Sequence, residues 1–539
     1  MILKFQNKQL KMALKKILYG FILLVTIQMF SQEVTDSKEL TILPNEHWWA
    51  GTVWDGHVMP LEDGYSINLY GNNKGNQTQP LLISNKGRVI WSETPISYSI
   101  KDDKILVTSF GSSIEIFTSG STLKDAFTYA SQEYFPASGK HPDDLLFKQP
   151  QYNTWIELIY NQNQEDILKY AKSIVANGFT PGVLMIDDNW QEDYGKWDFH
   201  QGRFSNPRQM VDDLHEMGFK VMLWICPFVS PDSDVYRDLE KKGYLIKTKE
   251  GDLPLMVRWW NGTSAVLDFT NPGGVKWFDD QLKGLQEKYG IDGYKLDAGD
   301  SHFYDTPLTA FDASATPNDH TYSFQQFGLK YPLNEYRATW KMGGQPLAQR
   351  LHDKGHNWDD LTKLIPQIML QGLLGYPFNC PDMIGGGEYG SFIDLKSIDQ
   401  ELIVRSAQVH ALMPMMQFSV APWRVLDEQH LNAVKKAVKI REKFVPFIMQ
   451  LVENASKTGE PVVRSMEYEF PNQGYYNIKD QFMLGSNILV APIIEKGANK
   501  REVILPKGKW KYNEKIYKGG KVIEIKVTLF EIPIFQKAK

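Results

Sequence analysis

The feature that most constrains the fold is a regular alternation of apolar runs and helical segments between about residues 150 and 419. The runs include GVLMIDD, KVMLWICP and GYKLDAGD, and the segments between them, such as NPRQMVDDLHEMG, carry apolar residues at i, i+3 and i+4. This alternation predicts parallel β/α units, and about eight of them in this length predict a (β/α)8 barrel.

Strand patterning flanks this region on both sides. Up to about residue 137, short alternating runs such as LLISNKGRVIWSE are separated by Gly and Asn, and a similar texture follows from about residue 445, as in NILVAPIIEKG. The predicted fold is therefore an α/β chain, a (β/α)8 TIM barrel flanked by N-terminal and C-terminal β-sandwich domains. We place a signal peptide at 1–31, the N-terminal β-sandwich at 32–140, the catalytic barrel at 141–440 and the C-terminal β-domain at 441–539.

The first residues have the composition of a secretory signal. Lys15 and Lys16 precede an apolar run at residues 17–30, and SQEVTD follows, which places cleavage near Ser31 or Gln32. The alternative is an uncleaved membrane anchor, but the run is shorter than the ~20 apolar residues that a spanning helix needs. We expect export to the periplasm or the extracellular space without stable membrane association.

Charge and composition narrow the partner classes. A net charge of -5 gives no basic footprint, which argues against nucleic acid. The 15 Trp residues are abundant, and Trp often lines carbohydrate sites, although most Trp side chains fill cores. Cys226 and Cys380 each lie in an apolar segment, and we expect buried thiols there.

Six aspartates follow or end apolar runs. In a barrel such positions lie at the carboxyl ends of the strands, where the active site is formed. They are Asp187, Asp188, Asp297, Asp300, Asp353 and Asp382. Glycoside hydrolysis needs two carboxylates, one as nucleophile or base and the other as proton donor. The alternative is that these side chains cap the helices that follow, as Asp commonly does.

Four phrases in order, IDDNW, RWWNG with AVLDFT, GYKLDAGD and YPFNCPDMIGG, resemble the barrel of glycoside hydrolase family 31. The resemblance runs from about residue 47 to near the C-terminus, and phrases such as MPMMQFSVAPWR resemble the branch of that family that contains bacterial α-galactosidases. It implies a retaining, exo-acting α-glycosidase with a barrel between β-domains. The expected partner is an oligosaccharide or glycoside, and the oligomeric state is left open.

The resemblance assigns the chemical roles. Asp297 matches the nucleophile of the family, which attacks the anomeric carbon and must be ionised. An ungapped alignment on WDDLTKLIP places Asp353 at the acid/base and Arg337 at a sugar-binding arginine. Asp353 should have a raised pKa, because a general acid holds its proton near neutral pH. Asp359 and Asp360 are nearby rivals, but they resemble the first turn of a helix.

Further sugar contacts follow from the same resemblance. Asp187 matches an aspartate that binds ring hydroxyls, with Asp188 as an alternative, and Lys295 points into the mouth by strand periodicity unless it forms a salt bridge. Trp259 or Trp260 is expected to form an apolar wall. Asp382 is expected to organise the pocket. Trp48 and Trp49 have two possible roles: they reach the pocket from the N-terminal domain, or they pack in the core of that domain.

The sugar is predicted from one position at which this sequence differs from the family that it resembles. Relatives that act on glucose usually carry a His after the eighth strand, and that position is Ser419 here. We therefore predict terminal α-linked galactose, with another retaining α-glycosidase or transglycosylase, or a non-catalytic carbohydrate-binding protein, as alternatives. Hydrolysis by two carboxylates needs no metal, and no cofactor is expected.

Overall fold

The centre of the protein is a parallel barrel built from eight short strands. A computed structural model describes residues 36–538, apart from the side chain of Lys396, and the predicted signal peptide lies outside this range. The barrel strands, in chain order, are β1 Gln151–Asn153, β2 Val183–Ile186, β3 Lys220–Ile225, β4 Gly293–Leu296, β5 Asn334–Tyr336, β6 Gln349–Arg350, β7 Asn379–Cys380 and β8 Gln417–Phe418.

Each strand pairs in parallel with the next, and β8 returns to β1 through Phe418 opposite Tyr152. Ile384, just after β7, forms a parallel bridge with Phe418, so the ring is nearly closed. Strands β2, β3 and β4 are buried along most of their length, as expected for a sheet covered by helices. The predicted barrel is confirmed.

Helices surround the barrel and begin at side-chain caps. The longer ones are Gln164–Ala176, Pro207–Glu216, Asp234–Lys242, Pro272–Tyr289, Pro317–Gly328, Trp358–Leu373, Gln400–Ala411 and Glu428–Thr458. Asn163, Asn206, Asn271 and Asn357 each accept a hydrogen bond from a backbone amide of the first helical turn. These caps satisfy amides that have no partner inside the helix and so fix where the helices start.

Further helices and strand pairs lie in the connecting segments. The helix Leu123–Glu133 has 11 residues, and the helices of four residues are Leu145–Lys148, Trp155–Leu158, Pro422–Val425 and Met466–Glu469. Turns of 3-10 helix lie at Val53–Val58, Ser301–Tyr304, Tyr389–Phe392 and Leu395–Ser397. Small antiparallel sheets join Gln191–Asp193 with Lys196–Phe199, Lys247–Thr248 with Leu308–Thr309, and Gly262–Val266 with both Phe228–Val229 and Met256–Trp259.

Two antiparallel sheets form the N-terminal domain. One contains Asp36–Thr41, Lys104–Ser109, Ile96–Lys101 and Ser66–Asn68, and the other contains Trp48–Thr52, Gln77–Ser84, Arg88–Ser92 and Ile114–Thr118. A barrel segment, Thr339–Trp340, adds a parallel strand beside Gln77–Ser84, so this domain and the barrel share a sheet. The sharing positions the loop at residues 72–75 over the barrel mouth.

The C-terminal domain begins later than its predicted start at residue 441. The helix Glu428–Thr458 runs through that boundary and ends at Gly459, which adopts the left-handed conformation common after a helix. Its buried residues Ile448, Met449 and Val452 follow helical spacing, and Pro446 is accommodated inside the helix. The strand prediction was therefore wrong for residues 445–458 and correct for the runs that follow, where strands begin at Val463.

Strands of the C-terminal domain follow this helix. A six-stranded sheet contains Val463–Arg464, Phe482–Leu484, Ile488–Val490, Ile534–Ala538, Lys509–Tyr512 and Lys515–Lys518, and Lys500–Leu505 pairs separately with Lys521–Lys526. The domain has its own core around Trp510 and Phe535. Within residues 36–538, none of the helices is long and apolar enough to cross a membrane.

Candidate active site

A cavity of about 680 Å³ lies at the barrel mouth, where the carboxyl ends of the strands meet. Side chains that follow β2, β4, β5 and β6 form its floor, the hairpin around Trp260 forms one wall, and the loop at residues 72–75 reaches over from the N-terminal domain. The predicted residues that line it are Asp187, Asp188, Trp259, Trp260, Lys295, Asp297, Arg337 and Asp353.

Asp297 follows β4 directly and is held at both carboxylate oxygens. Arg337 Nε donates to Oδ1 at 2.9 Å, and Trp224 Nε1 donates to Oδ2 at 2.9 Å. Burial alone raises the pKa of this carboxyl, but the charges of Arg337 and Lys295 outweigh burial and hold the pKa well below its usual range. Asp297 is therefore ionised and fixed in orientation.

Asp300 follows Asp297 in the loop after β4 and binds the same arginine, Arg337. Arg337 donates from its two terminal nitrogens to the two Asp300 oxygens at 3.0 and 2.7 Å. This bidentate pair uses the planar fork of the guanidinium and leaves Nε aimed at Asp297. The role of Asp300, which sequence reasoning left undecided, is to hold Arg337.

Asp353 follows β6 and faces the cavity with 44% of its side chain exposed. Arg350 donates to Asp353 Oδ1 at 2.5 Å. Partial desolvation at the cavity wall raises the pKa of the Asp353 carboxyl, but the Arg350 guanidinium and the His352 ring more than compensate, so that the pKa lies well below its ordinary value. The expected raised pKa was wrong, because the alignment that identified Asp353 carried no information about the arginine three residues before it.

Lys295 and Asp187 form a buried ion pair at the cavity floor. Lys295 Nζ donates to Asp187 Oδ2 at 2.7 Å, and Asn153 Nδ2 donates to the same oxygen at 2.6 Å. Burial lowers the pKa of Lys295, but Asp187 outweighs it and raises the pKa above its ordinary value. The salt bridge that the sequence left as an alternative is present, and both side chains still line the cavity.

Asp188 lies beside this pair and accepts hydrogen bonds from two side chains. Tyr194 OH donates to Oδ1 at 3.1 Å, and Asn261 Nδ2 donates to Oδ2. Burial, followed by the neighbouring Asp187 charge, raises the pKa of Asp188 to about 7. At neutral pH this carboxyl is therefore partly protonated, which lets it both donate to and accept from a bound hydroxyl.

The two tryptophans of the RWWNG phrase differ in exposure. Trp259 is 7% exposed, and its Nε1 donates to Ser264 Oγ at 3.0 Å, so it is part of the packing behind the cavity. Trp260 is 49% exposed, and the Arg337 guanidinium lies over its ring at 5.8 Å. Trp260 therefore provides the open apolar wall.

Two predicted contacts are placed elsewhere. Trp49 lies in the strand Trp48–Thr52, buried in the N-terminal core together with Trp48, and neither ring lines the cavity. Asp382 also lies outside the lining and binds Arg350 NH1 at 2.8 Å and the Lys354 amide at 2.8 Å. Direct contact of Trp49 or Asp382 with sugar is thus not supported, although Asp382 does organise the residues around Asp353.

Other expectations concern neighbouring positions. Asp359 and Asp360 lie in the first turn of the helix Trp358–Leu373, as predicted, and Asp360 Oδ2 accepts from the Gly355 amide at 2.7 Å. Ser419 is fully buried and donates to the Gly386 carbonyl at 2.7 Å, so its hydroxyl is engaged by backbone. The thiols of Cys226 and Cys380 are free and buried.

The cavity also contains residues that sequence reasoning missed. The Gly75 carbonyl accepts from Arg337 NH1 at 2.9 Å, and at φ +68° with His352 and Arg337 close by, a side chain at Gly75 would collide with both. The rings of Trp155, Tyr160 and Tyr389 also line the cavity and form an aromatic wall, in which Trp155 packs edge-on against both tyrosines. Only the aromatic richness of the chain hinted at this wall.

An eight-stranded parallel barrel with carboxylates and tryptophans at its mouth has the architecture of a glycoside hydrolase barrel. The model of the glycosyl hydrolases family 31 TIM-barrel domain matches residues 149–451, and that of the family 31 C-terminal domain matches residues 459–539. The chain belongs to glycosyl hydrolase family 31.

Relatives agree with this assignment. The myogenesis-regulating glycosidase of Mus musculus is 32% identical over 77% of this chain and 59% of its own length. Alpha-glucosidase 2 of Bacillus thermoamyloliquefaciens is 25% identical over 83% of this chain and 59% of its own length. The chain thus spans about three fifths of each of these relatives.

Solved structures share the fold. A family 31 dextranase of Flavobacterium johnsoniae, complexed with glucose, superposes with a TM-score of 0.83 over 93% of this chain and 66% of the dextranase. Its sequence identity is 19%, so the likeness concerns the fold alone.

Proposed function

We propose that the protein is a retaining, exo-acting α-glycosidase and, more specifically, an α-galactosidase that releases terminal α-linked galactose. The observation that supports it most is Asp297, a carboxylate held ionised by Arg337 and Trp224 at the floor of a cavity of sugar size. A nucleophile for glycosyl transfer needs this state, because only the carboxylate can attack the anomeric carbon.

The reaction proceeds by double displacement. Asp297 forms a bond to the anomeric carbon while the bond to the leaving oxygen breaks, and Asp353 gives that oxygen its proton. Water then attacks the glycosyl ester, Asp353 takes a proton from it, and Asp297 leaves as a carboxylate. A sugar in the cavity removes water from the exposed face of Asp353, which raises the pKa of its carboxyl toward the value that a proton donor needs.

Recognition of the ring falls to the groups beside Asp297. Lys295, Asp187 and Asp188 offer charged and neutral hydrogen-bonding groups at the cavity floor, and Trp260 offers an apolar face. Galactose is proposed because Ser419 stands where the resemblance expects a His in glucose-specific relatives. The Ser419 hydroxyl is engaged by the Gly386 carbonyl outside the cavity lining, so it does not replace the sugar contact of such a His. The names of relatives such as alpha-glucosidase 2 favour the alternative, an α-glucosidase or α-xylosidase.

A panel of 4-nitrophenyl α-glycosides tests the proposal. We expect hydrolysis of the α-galactoside to exceed that of the α-glucoside and α-xyloside, and the Asp297→Ala protein to be inactive on all of them. Faster hydrolysis of the glucoside or xyloside would overturn the galactose assignment and keep the glycosidase. Binding of sugar without any turnover would instead indicate a non-catalytic carbohydrate-binding protein.

A further inference from the structure

Arg350, at the end of β6, binds two carboxylates through the same nitrogen. Its guanidinium is 1% exposed, and NH1 donates to Asp353 Oδ1 at 2.5 Å and to Asp382 Oδ1 at 2.8 Å. Its Nε lies 3.2 Å from Glu335 Oε1 on the other side. Because Asp353 and Asp382 bind the same atom, a change of charge on either one is felt strongly by the other.

Asp382 is fixed at both oxygens. While Oδ1 accepts from Arg350, Oδ2 accepts at 2.8 Å from the amide of Lys354, the residue that follows Asp353. The backbone of Asp382 has φ +71°, an unusual value for a residue other than glycine, and it persists because the surrounding contacts determine it. Asp382 thus holds both the arginine that Asp353 contacts and the loop that carries Asp353.

The charges around this pair come from three further elements. β4 supplies Lys295 and the adjoining Asp297, β5 supplies Glu335 and the adjoining Arg337, and the loop after β6 supplies His352 and Lys354. Within this setting a buried guanidinium needs ionised partners, because an uncompensated charge in the interior is costly. When Asp353 takes up a proton, Arg350 loses the charge of one partner.

We propose that Asp382 is a positioning residue for Asp353: it takes over as the ionised partner of Arg350 whenever Asp353 is protonated, and so makes a protonated Asp353 attainable. The inference rests on the proposed function, in which Asp353 is the acid/base. Asp353 takes a proton from solvent through the cavity and Asp382 gives its proton up to solvent, so that the pair carries one proton in either arrangement.

The titration of the two carboxyls agrees with this arrangement. Burial raises the pKa of Asp382 to about 7 despite the Arg350 charge, and ionised Asp353 adds to the rise. The pKa of Asp353 is lowered below its ordinary value mainly by Arg350. A proton carried by this pair in the free protein therefore lies on Asp382, which is partly protonated near neutral pH, and protonation of Asp353 lowers the pKa of Asp382 by removing a like charge.

A non-ionisable residue at position 382 separates the two roles of Asp353. In Asp382→Asn, Arg350 keeps only Asp353 and Glu335 as carboxyl partners, and burial raises the pKa of Glu335, so Asp353 stays ionised and fails as an acid. The same ionised Asp353 still serves as the base in the second step. The amide oxygen of Asn still accepts from the Lys354 amide, which preserves the loop contact.

The test compares substrates with poor and good leaving groups. For Asp382→Asn we expect kcat/KM on methyl α-galactoside to fall about 100-fold and that on 4-nitrophenyl α-galactoside to stay within about threefold of wild type, since a nitrophenolate needs little acid assistance. Azide should not accelerate the variant. In Asp353→Ala, azide should accelerate turnover of the nitrophenyl substrate, because the base is missing there.

Three further variants accompany this test. Asp268→Asn alters another buried aspartate, bound to the Phe311 amide at 2.7 Å and outside the cavity lining, and should leave the ratio of the two substrates unchanged. Asp382→Glu should restore that ratio, and Asp382→Ser replaces Asp382→Asn if the latter does not fold. An equal loss on both substrates, or no change, would overturn the inference and keep the proposed function. No turnover by the wild type would overturn both.

Discussion

Arg337 links Asp300 to Asp297. Its two terminal nitrogens donate to the two oxygens of Asp300 at 3.0 and 2.7 Å, and its Nε donates to Asp297 Oδ1 at 2.9 Å. The Asp300 contact therefore sets the direction from which the positive charge approaches Asp297. Asp300 thus fixes the position of one of the cations that keep Asp297 ionised, without contacting the reacting carbon itself.

Shifting this contact should reduce activity without abolishing the fold. In Asp300→Glu the carboxylate keeps its charge but extends by one methylene into a filled site, which displaces the Arg337 fork. We expect kcat on an aryl α-glycoside to fall about 10- to 100-fold, since small displacements of positioning groups carry costs of this size.

The comparison variant is Asp305→Glu, at an exposed aspartate further along the same segment. It should retain wild-type kinetics. Unchanged kcat in Asp300→Glu would show that Arg337 keeps its position without this grip.

The Lys295–Asp187 ion pair predicts that substitutions of the two residues have strongly non-additive effects on stability. Lys295→Met leaves Asp187 buried without its cation, and Asp187→Asn leaves Lys295 without its anion, so each change should cost about 3–5 kcal/mol of stability. The double variant should cost clearly less than the sum, because neither charge is then left alone. Thermal midpoints of the four proteins form the cycle, and additive losses would contradict the pairing.

Trp259 and Trp260 should respond in opposite ways to truncation. Trp260→Ala removes an exposed wall and should raise KM about tenfold, through the loss of contact with a sugar face, while the thermal midpoint hardly changes. Trp259→Ala empties a packed position and should cost about 3–5 kcal/mol of stability. A large loss of stability in Trp260→Ala would show that its ring supports the hairpin instead.

Asp188 should leave a signature in the pH dependence of stability. Its pKa is about 7 in the folded protein and close to 3.8 when unfolded, so between these values the folded state holds a proton that the unfolded state has lost. Its contribution therefore makes the free energy of unfolding decrease as pH rises through this window, and the decrease ends above about pH 7.

Asp188→Asn removes this contribution. The thermal midpoint of the variant relative to wild type should rise by at least about 2 °C between pH 5 and pH 8. Asp234→Asn, at a fully exposed position, serves as the control. A relative midpoint that is flat with pH, or that falls, would show that Asp188 is ionised throughout.

The barrel was predictable from sequence because its signal is periodic and local. Buried strands such as β3 read as continuous apolar runs, and helices such as Pro272–Tyr289 end on glycine. The same pattern placed Asp297 at the barrel mouth among six aspartates, and the resemblance to family 31 singled it out as the nucleophile. The C-terminal boundary was missed because Pro446 and a dense apolar cluster disguised the second half of a helix.

The electrostatics of the site could not be predicted in the same way. Arg350 and Asp353 are close in sequence, but that the guanidinium turns toward Asp382 and Asp353 depends on where β7 lies beside β6. The Arg337–Asp300 pair likewise joins segments 37 residues apart. Trp49 was ambiguous because successive residues of a strand lie on opposite faces; both faces of the strand Trp48–Thr52 are buried, so neither Trp48 nor Trp49 reaches the cavity.

The most direct test of the central claim is to trap the glycosyl ester. The protein is incubated with 5-fluoro-α-galactosyl fluoride, which forms the ester quickly and releases it slowly, and the labelled peptide is sequenced by mass spectrometry. We predict one adduct per chain, on Asp297, and none in Asp297→Ala. Turnover of an α-glycoside by a protein that yields no adduct, or an adduct on another carboxylate, would contradict the account.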